Sequence, residues 1–298
     1  YFIDLDTLCQ EKLLEKQECE MYQWGDDTTR ISYSLLYENR YPLLHKAFER
    51  FQRKIPQDYE EFCQEQSDWL EDYALFMALK DAHNGVSWSQ WEPEIKKRQK
   101  DAVEQAKKEL AKETEFWKML QYLFYRQWKR LKKYANDKGI KIIGDVPIYV
   151  AMDSADVWAN PEQFYLDEEL LPIDVAGCPP DAFSEDGQLW GNPLFRWDVM
   201  KKDGYSWWTK RLQKTSQLFD VIRIDHFRGF DSYYAIPFGD TTARNGEWRE
   251  GPGVELFHSI EKKLGSLEII AEDLGYLTES VRKMLADSGY PGMKLLQF

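Results

Sequence analysis

Two short stretches of this sequence carry residues whose types and spacing could do chemistry. The first is Phe219-Asp220-Val221-Ile222-Arg223-Ile224-Asp225-His226-Phe227-Arg228-Gly229-Phe230. It opens as an apolar, β-branched run, the mark of a strand buried on both faces, and ends in Arg223, Asp225, His226 and Arg228. Side chains alternate along a strand, so Arg223 and Asp225 share one face, and Ile222, Ile224 and His226 the other. A carboxylate at the end of a buried strand has to be paired or used, because leaving it unpaired is costly. The guanidinium two residues back would hold Asp225 ionised, and an ionised, oriented carboxylate is what a covalent nucleophile has to be. The same pattern also fits a structural Asp–Arg pair. The second stretch, Leu267-Glu268-Ile269-Ile270-Ala271-Glu272-Asp273-Leu274-Gly275, has the same form: an apolar strand, an acidic end, then glycine. Two parallel strands that each end in a carboxylate suggest the paired acids of glycoside chemistry. The strand pattern alone does not choose between Glu272 and its neighbour Asp273, which points to the other face.

The elements that must position these acids follow from the pattern around them. Ile140 to Val150 reads as a strand with a polar end, then come those at 219–226 and 267–273, and Gly292 to Phe298 reads as a further strand. Thr278 is placed to cap a helix over Glu279 to Asp287, which Gly289 ends. Strand, helix and strand within about 30 residues make a βαβ unit. Repeated units with charge at the strand C-termini predict an α/β fold, a (β/α)₈ TIM-type barrel whose site lies at that face. Only four such strands are countable where a barrel needs eight, so 140–298 reads as the central part of an incomplete barrel. A loop-rich insertion spans 151–218, and long loops after barrel strands usually carry function, although a purely structural excursion is also open.

Residues 1 to 139 read as a helical insertion without a buried strand. Leu44, Phe48 and Phe51 have helical spacing, with Pro42 suited to a first turn. Ser67 is placed to cap the next helix, in which Leu70, Ala74, Met77 and Ala78 share a face. Asn84-Gly85 ends it. Trp88 and Trp91 sit in a polar, Pro-containing loop, either as core anchors or as a sugar platform. From Glu94 to Lys138 the pattern predicts a long charged helix or helix pair with an apolar stripe at Phe116, Leu120, Leu123, Phe124 and Leu131, ended by Gly139. Its basic residues are interleaved with Glu, as on a solvated face.

Composition bounds the partners. The chain has 298 residues, 43% hydrophobic, with a net charge of -13, which argues against nucleic acid and anionic membranes. No run of about 18 apolar residues occurs, so no membrane span is expected. Tyr1-Phe2-Ile3-Asp4-Leu5 lacks the basic flank and apolar core of a signal peptide. Cys9, Cys19, Cys63 and Cys178 show no C-x-x-C spacing and no nearby histidine cluster; this argues against a metal site, and scattered thiols fit a reducing cytoplasm. Aromatic content of 15%, with 12 Trp and 17 Tyr, points mildly to carbohydrate, since planar rings stack on sugar faces.

Five motifs in order resemble one family. They are Gly144-Asp145-Val146-Pro147-Ile148-Tyr149-Val150, then Gly177 to Pro193, Val221 to Phe230, Ala271-Glu272-Asp273-Leu274-Gly275, and Gly292 to Phe298. Their order is similar to that of the 4-alpha-glucanotransferases, the amylomaltases or disproportionating enzymes of the alpha-amylase clan, glycoside hydrolase family 77. The likeness runs unbroken from about Lys141 to Phe298 and takes in Tyr1 to Leu5. It implies that Asp225 is the nucleophile and Glu272 the general acid/base. It implies substrate-binding roles for Arg223 beside the nucleophile, His226, Asp145 of the first clan motif, Gln188 and Trp190 on a loop that closes over the glucan, and Phe298 near the acceptor. It also implies barrel strands ahead of Tyr1 and, after Phe298, a Thr-His-Asp-Asn-Asp segment with a third carboxylate.

The expected reaction is retaining transfer of alpha-1,4-glucan segments to an acceptor 4-hydroxyl, with maltooligosaccharides and alpha-1,4-glucans as partners and no cofactor. Glu272, kept protonated by an apolar surround and a neighbouring negative charge, would protonate the glycosidic oxygen while Asp225 attacks the anomeric carbon. A hydrolase of the same clan, and a glucan-binding fragment without catalysis, are the alternatives.

Overall fold

The computed structural model describes residues 1–27, 29–182, 184–275 and 277–296. By its internal contacts the chain divides into two compact units, Tyr1–Val86 with Gln99–Leu131, and Ser87–Arg98 with Lys132–Phe298. Among the described residues, no helix is long and apolar enough to cross a membrane.

The first unit is helical. A 21-residue helix, Tyr33–Arg53, buries Leu44, Phe48 and Phe51, as their spacing predicts. It starts ahead of the expected turn, so Pro42 lies inside it rather than in its first turn. Ser32 supplies the cap by accepting the Leu35 N–H. The next long helix, Leu70–Ala82, has Trp69 at its N-cap with no side-chain cap bond, so Ser67 does not serve there. The expected charged helix or helix pair is in fact three helices: Pro93–Lys96, which belongs to the second unit, Lys100–Glu109 and Ala111–Asp137. Phe116, Leu120 and Leu123 are buried in the last of these, whereas Leu131 is exposed. Gly139 closes it at positive φ, where glycine has no Cβ penalty.

The second unit holds all seven strands found among the described residues. These are β1 (Ile143–Val146), β2 (Asp174–Cys178), β3 (Gln188–Pro193), β4 (Val221–Ile224), β5 (Ser232–Pro237), β6 (Glu247–Glu250) and β7 (Ile269–Ala271). β1, β4 and β7 form one parallel sheet in that order. The helix Ser206–Leu218 leads into β4, Val254–Leu264 into β7, and Glu279–Ser288 follows β7. These are the crossovers that parallel pairing demands. Thr278 caps the last helix and Gly289 ends it in the left-handed region, as the sequence predicts.

Three of the four expected parallel strands are thus present. The fourth is reduced: Gly292 makes a single parallel bridge to Ala271, and Gln297 and Phe298 lie outside the described residues. β4 is also shorter than expected. It stops at Ile224, and Asp225 and His226 belong to a turn in which His226 has φ 50°. Nor is this sheet buried on both faces. Gly144, Val146, Ile222, Ile224, Ile269 and Ala271 are buried, whereas Ile143 and Asp145 are exposed and Val221, Arg223 and Ile270 half-buried.

The remaining strands make an antiparallel sheet in the order β3-β2-β5-β6. The stretch read as a loop-rich insertion therefore contains two paired strands, as well as the helices Ala155–Ala159, Trp197–Lys202 and Ser206–Leu218. Trp88 and Trp91 are buried, which decides for core anchors: the Trp88 indole donates to Met152 O at 2.7 Å, and Trp91 packs edge-on against Trp158.

Candidate active site

The parallel sheet brings its polar strand ends to one rim. Asp145 of β1 and Arg223 of β4 lie opposite each other in register. Beyond the strand ends the ladder continues: Asp225 N–H donates to Val146 O and Glu272 N–H to Ile224 O, both at 2.9 Å. Phe227 N–H then donates to Glu272 O at 3.0 Å. Asp225 and Glu272 are therefore carried at the C-terminal ends of adjacent parallel strands, where barrel-type and doubly wound sheets keep their sites.

A single guanidinium links two of the acids. Arg223 Nη1 donates to Asp145 Oδ1 at 2.5 Å and Nη2 to Asp225 Oδ1 at 2.8 Å, while Nε reaches Met293 Sδ at 3.3 Å. Burial opposes the charge on Arg223, but the Asp145 hydrogen bond and the charges of both carboxylates outweigh it and raise the group above the ordinary arginine value. The fork geometry leaves Asp225 oriented and 43% exposed in its side chain.

Glu272 is held differently. Its Oε2 accepts the His226 backbone N–H at 2.9 Å and its Oε1 accepts Leu274 N–H at 2.8 Å. The expected apolar surround is not what faces it: both oxygens meet backbone donors. Asp273, one residue on, turns the other way and accepts Met293 N–H at 2.7 Å. The structure thus separates the two neighbours that the sequence left equivalent, and it ties the Glu272 carboxyl to the residue next to Asp225.

His226 packs edge-on against Trp190, ring centroids 4.9 Å apart at 90°. Burial, with the charge of Arg228 adding and that of Asp225 opposing, pushes the imidazole down to about 4, so it is neutral at neutral pH. The Trp190 indole donates to Gln188 Oε1 at 3.0 Å, which groups these two residues on β3. Asp225, His226 and Trp190 line an open pocket of about 160 Å³, together with Pro147, Ile148, Tyr149 and Asn192. Arg223, Asp145 and Glu272 adjoin the pocket residues through the bonds above rather than lining it. Phe298 lies outside the described residues.

Some contributors were invisible in the sequence. Arg211 on the helix before β4 donates to Pro147 O at 2.7 Å and Ile148 O at 3.1 Å, and lies 4.8 Å over the Trp208 ring. Asn192 Nδ2 donates to Val150 O at 2.8 Å. Pocket wall 147–150 is held from both ends. Arg211 looks like any charged helix residue; Asn192 sits within the Gly177 to Pro193 motif, but only its partner reveals its use.

Comparison with known proteins gives the family. The family model described as 4-alpha-glucanotransferase matches residues 1–298. The chain belongs to the 4-alpha-glucanotransferase family. It is 48% identical over 299 residues to the 4-alpha-glucanotransferase of Clostridium butyricum, covering 100% of this chain and 61% of that one. The Thermus thermophilus 4-alpha-glucanotransferase is 47% identical, with 100% and 59% covered. The chloroplastic/amyloplastic 4-alpha-glucanotransferase of Solanum tuberosum is 43% identical, with 99% and 52% covered. In solved structures it is similar to the amylomaltase from Streptococcus agalactiae in complex with acarbose, with TM-score 0.96, 42% identity, and 99% and 60% covered. The chain thus spans about three-fifths of the length of these bacterial relatives.

Proposed function

We propose that this family member takes part in retaining transfer of alpha-1,4-glucan segments, with Asp225 as nucleophile and Glu272 as general acid/base. The observation that carries the reading is the bond from His226 N–H to the Glu272 carboxyl. It ties the Glu272 carboxyl to the residue next to Asp225, which supports pairing the two acids. Arg223 keeps Asp225 aimed, and Asp225 attacks the anomeric carbon while Glu272 gives its proton to the leaving oxygen. Glu272 then withdraws the proton of an incoming sugar 4-hydroxyl, which attacks the covalent intermediate. In this reading Asp145, Arg223, His226, Gln188, Trp190 and Phe298 contact the sugar. Trp190 offers the aromatic face, and neutral His226 can both donate and accept a hydrogen bond.

The same reading takes β1, β4 and β7 as adjacent strands of a (β/α)₈ barrel, 140–298 as its central part and 1–139 as a helical insertion. The parallel order and the crossover helices support this. Its substrates are maltooligosaccharides and alpha-1,4-glucans in the cytoplasm, with no cofactor and no nucleic-acid or membrane partner. Acarbose in the Streptococcus agalactiae amylomaltase supports an alpha-glucan ligand.

Maltotriose tests the reading. Transfer yields glucose and longer chains, whereas hydrolysis yields glucose and maltose alone. Saturable binding without product gives the non-catalytic alternative, and no binding overturns the proposal.

A further inference from the structure

The helical unit holds two of the four cysteines side by side. Cys9 lies in the helix Leu5–Gln10 and Cys19 in the helix Lys16–Glu20, ten positions on, and their sulfur atoms are 3.8 Å apart. The thiols are therefore not all scattered, as the sequence spacing suggested. We propose that Cys9 and Cys19 form a reversible disulfide site, with small-molecule disulfides such as oxidised glutathione as the co-reactant class.

Three features carry this. The first is distance: a disulfide needs about 2.05 Å between sulfurs, so the gap to close is within reach of side-chain rotation and a small shift of two short helices. The second is preorganisation from both sides. Leu8, beside Cys9, is fully buried, and its carbonyl accepts the N–H groups of Leu13 and Leu14 at 2.9 and 3.2 Å, folding the second helix back on the first. Glu18, beside Cys19, is clamped by Arg50 through bonds of 2.6 and 2.9 Å, and Arg50 also donates to Leu13 O at 3.1 Å. The third is access: both cysteines are only partly buried, so a small reagent reaches them.

The chemistry has an order. Burial, and then the neighbouring Cys9, push the Cys19 thiol up to about 11. A thiol raised in this way is the slower nucleophile, so the exchange is written with Cys9 attacking first. The Cys9 thiolate attacks one sulfur of the small disulfide and expels the other half as a thiolate. Cys19 then loses its proton to solvent and attacks the Cys9 sulfur, expelling the second half. Two protein thiols are oxidised, one external disulfide is reduced, and the two released protons convert the leaving thiolates to thiols.

The test is incubation of the 298-residue chain with oxidised glutathione, followed by intact mass, peptide mapping and thermal unfolding. The expected product has lost two hydrogens in mass, maps as a Cys9–Cys19 link, and reverts in dithiothreitol. Closing so short a ring raises the unfolding midpoint of the linked form by roughly 3–6 °C. Cys9→Ser and Cys19→Ser lose both signatures, while the Cys63→Ser/Cys178→Ser double variant keeps them. A persistent glutathione adduct on Cys9 or Cys19, a link through Cys63 or Cys178, or an oxidised form that melts no later overturns the proposal. The peptide map of the unsubstituted chain decides the matter even where a variant fails to fold.

Discussion

Glu272 and His226 are joined by a 2.9 Å hydrogen bond that runs from the histidine's backbone, not its ring. The ring is left free to face Trp190, and the carboxyl is fixed by a group no side-chain substitution removes. Position is thus built into the main chain of the turn after β4. That turn depends on Gly229: a Cβ there would lie 2.7 Å from Ile148 Cδ1 and 2.9 Å from His226 Cδ2. Gly229→Ala is expected to displace the His226 ring and weaken maltooligosaccharide binding by about tenfold, or roughly 1.4 kcal/mol. Titration calorimetry checks this; unchanged affinity would show the ring is not in the binding surface.

Glu272→Gln removes the titratable group and also breaks the bonding pattern. An amide has one acceptor oxygen, yet both carboxyl oxygens now meet N–H donors, so one donor is left facing an NH₂. Transfer from maltotriose is expected to fall about 10²–10⁴-fold. Asp273→Asn, which alters the contact to Met293 N–H, is expected to fall far less. Equal losses would mean that the wrong neighbour has been given the role.

Arg223→Lys keeps the charge but not the fork. A single ammonium cannot satisfy Asp145 and Asp225 in the geometry that Nη1 and Nη2 achieve together. Losing that alignment is expected to lower turnover by about 10²-fold with a smaller change in KM. A lysine variant with turnover near that of the parent would show that Asp225 needs charge nearby but no aiming.

Much of this rim was legible in the sequence, and the reasons differ from residue to residue. β1, β4 and β7 were readable because Ile, Val and Ala runs ending in charge have few other uses. β2, with its Asp and Gly, and β6, which is Glu-Trp-Arg-Glu, lack the alternation that marks a strand, so the antiparallel sheet went unseen. Its strands exist through pairing, an effect of tertiary context that local pattern does not carry. Pro42 misled because a first-turn preference says nothing of helices that begin earlier. The strand pattern left Glu272 and Asp273 equivalent and the family resemblance singled out Glu272; the different backbone donors that the two carboxyls meet are nothing a side-chain pattern reports.

His226 gives the pH prediction. Its value in the folded chain, about 4, lies below the ordinary 6.5, so the unfolded chain binds more protons between these values. Stability is therefore complete above about pH 6.5 and falls as pH drops toward 4. Partial solvent access limits the size to roughly 1–3 kcal/mol. His226→Gln is expected to flatten this part of the profile in urea unfolding at pH 7 and pH 4.5. A variant that loses as much stability on acidification as the parent would remove His226 as the cause.

Arg211 tests whether the pocket wall is held from outside. Its two bonds to Pro147 O and Ile148 O come from one guanidinium stacked on Trp208 and lying 5.3 Å over Trp207, a planar arrangement an ammonium cannot reproduce. Arg211→Lys is expected to keep the helix Ser206–Leu218, because its interior packs through Trp208 and Leu212. It frees the wall beside Asp225 and His226, so the expected result is maltooligosaccharide affinity lowered about tenfold, roughly 1.4 kcal/mol, with little change in the far-ultraviolet dichroism. Arg211→Ala exposes the stacking surface as well and is expected to cost a further 1 kcal/mol or about that in stability. Should the lysine variant bind as the parent does, Asn192 alone, through Val150 O, would suffice to shape the wall.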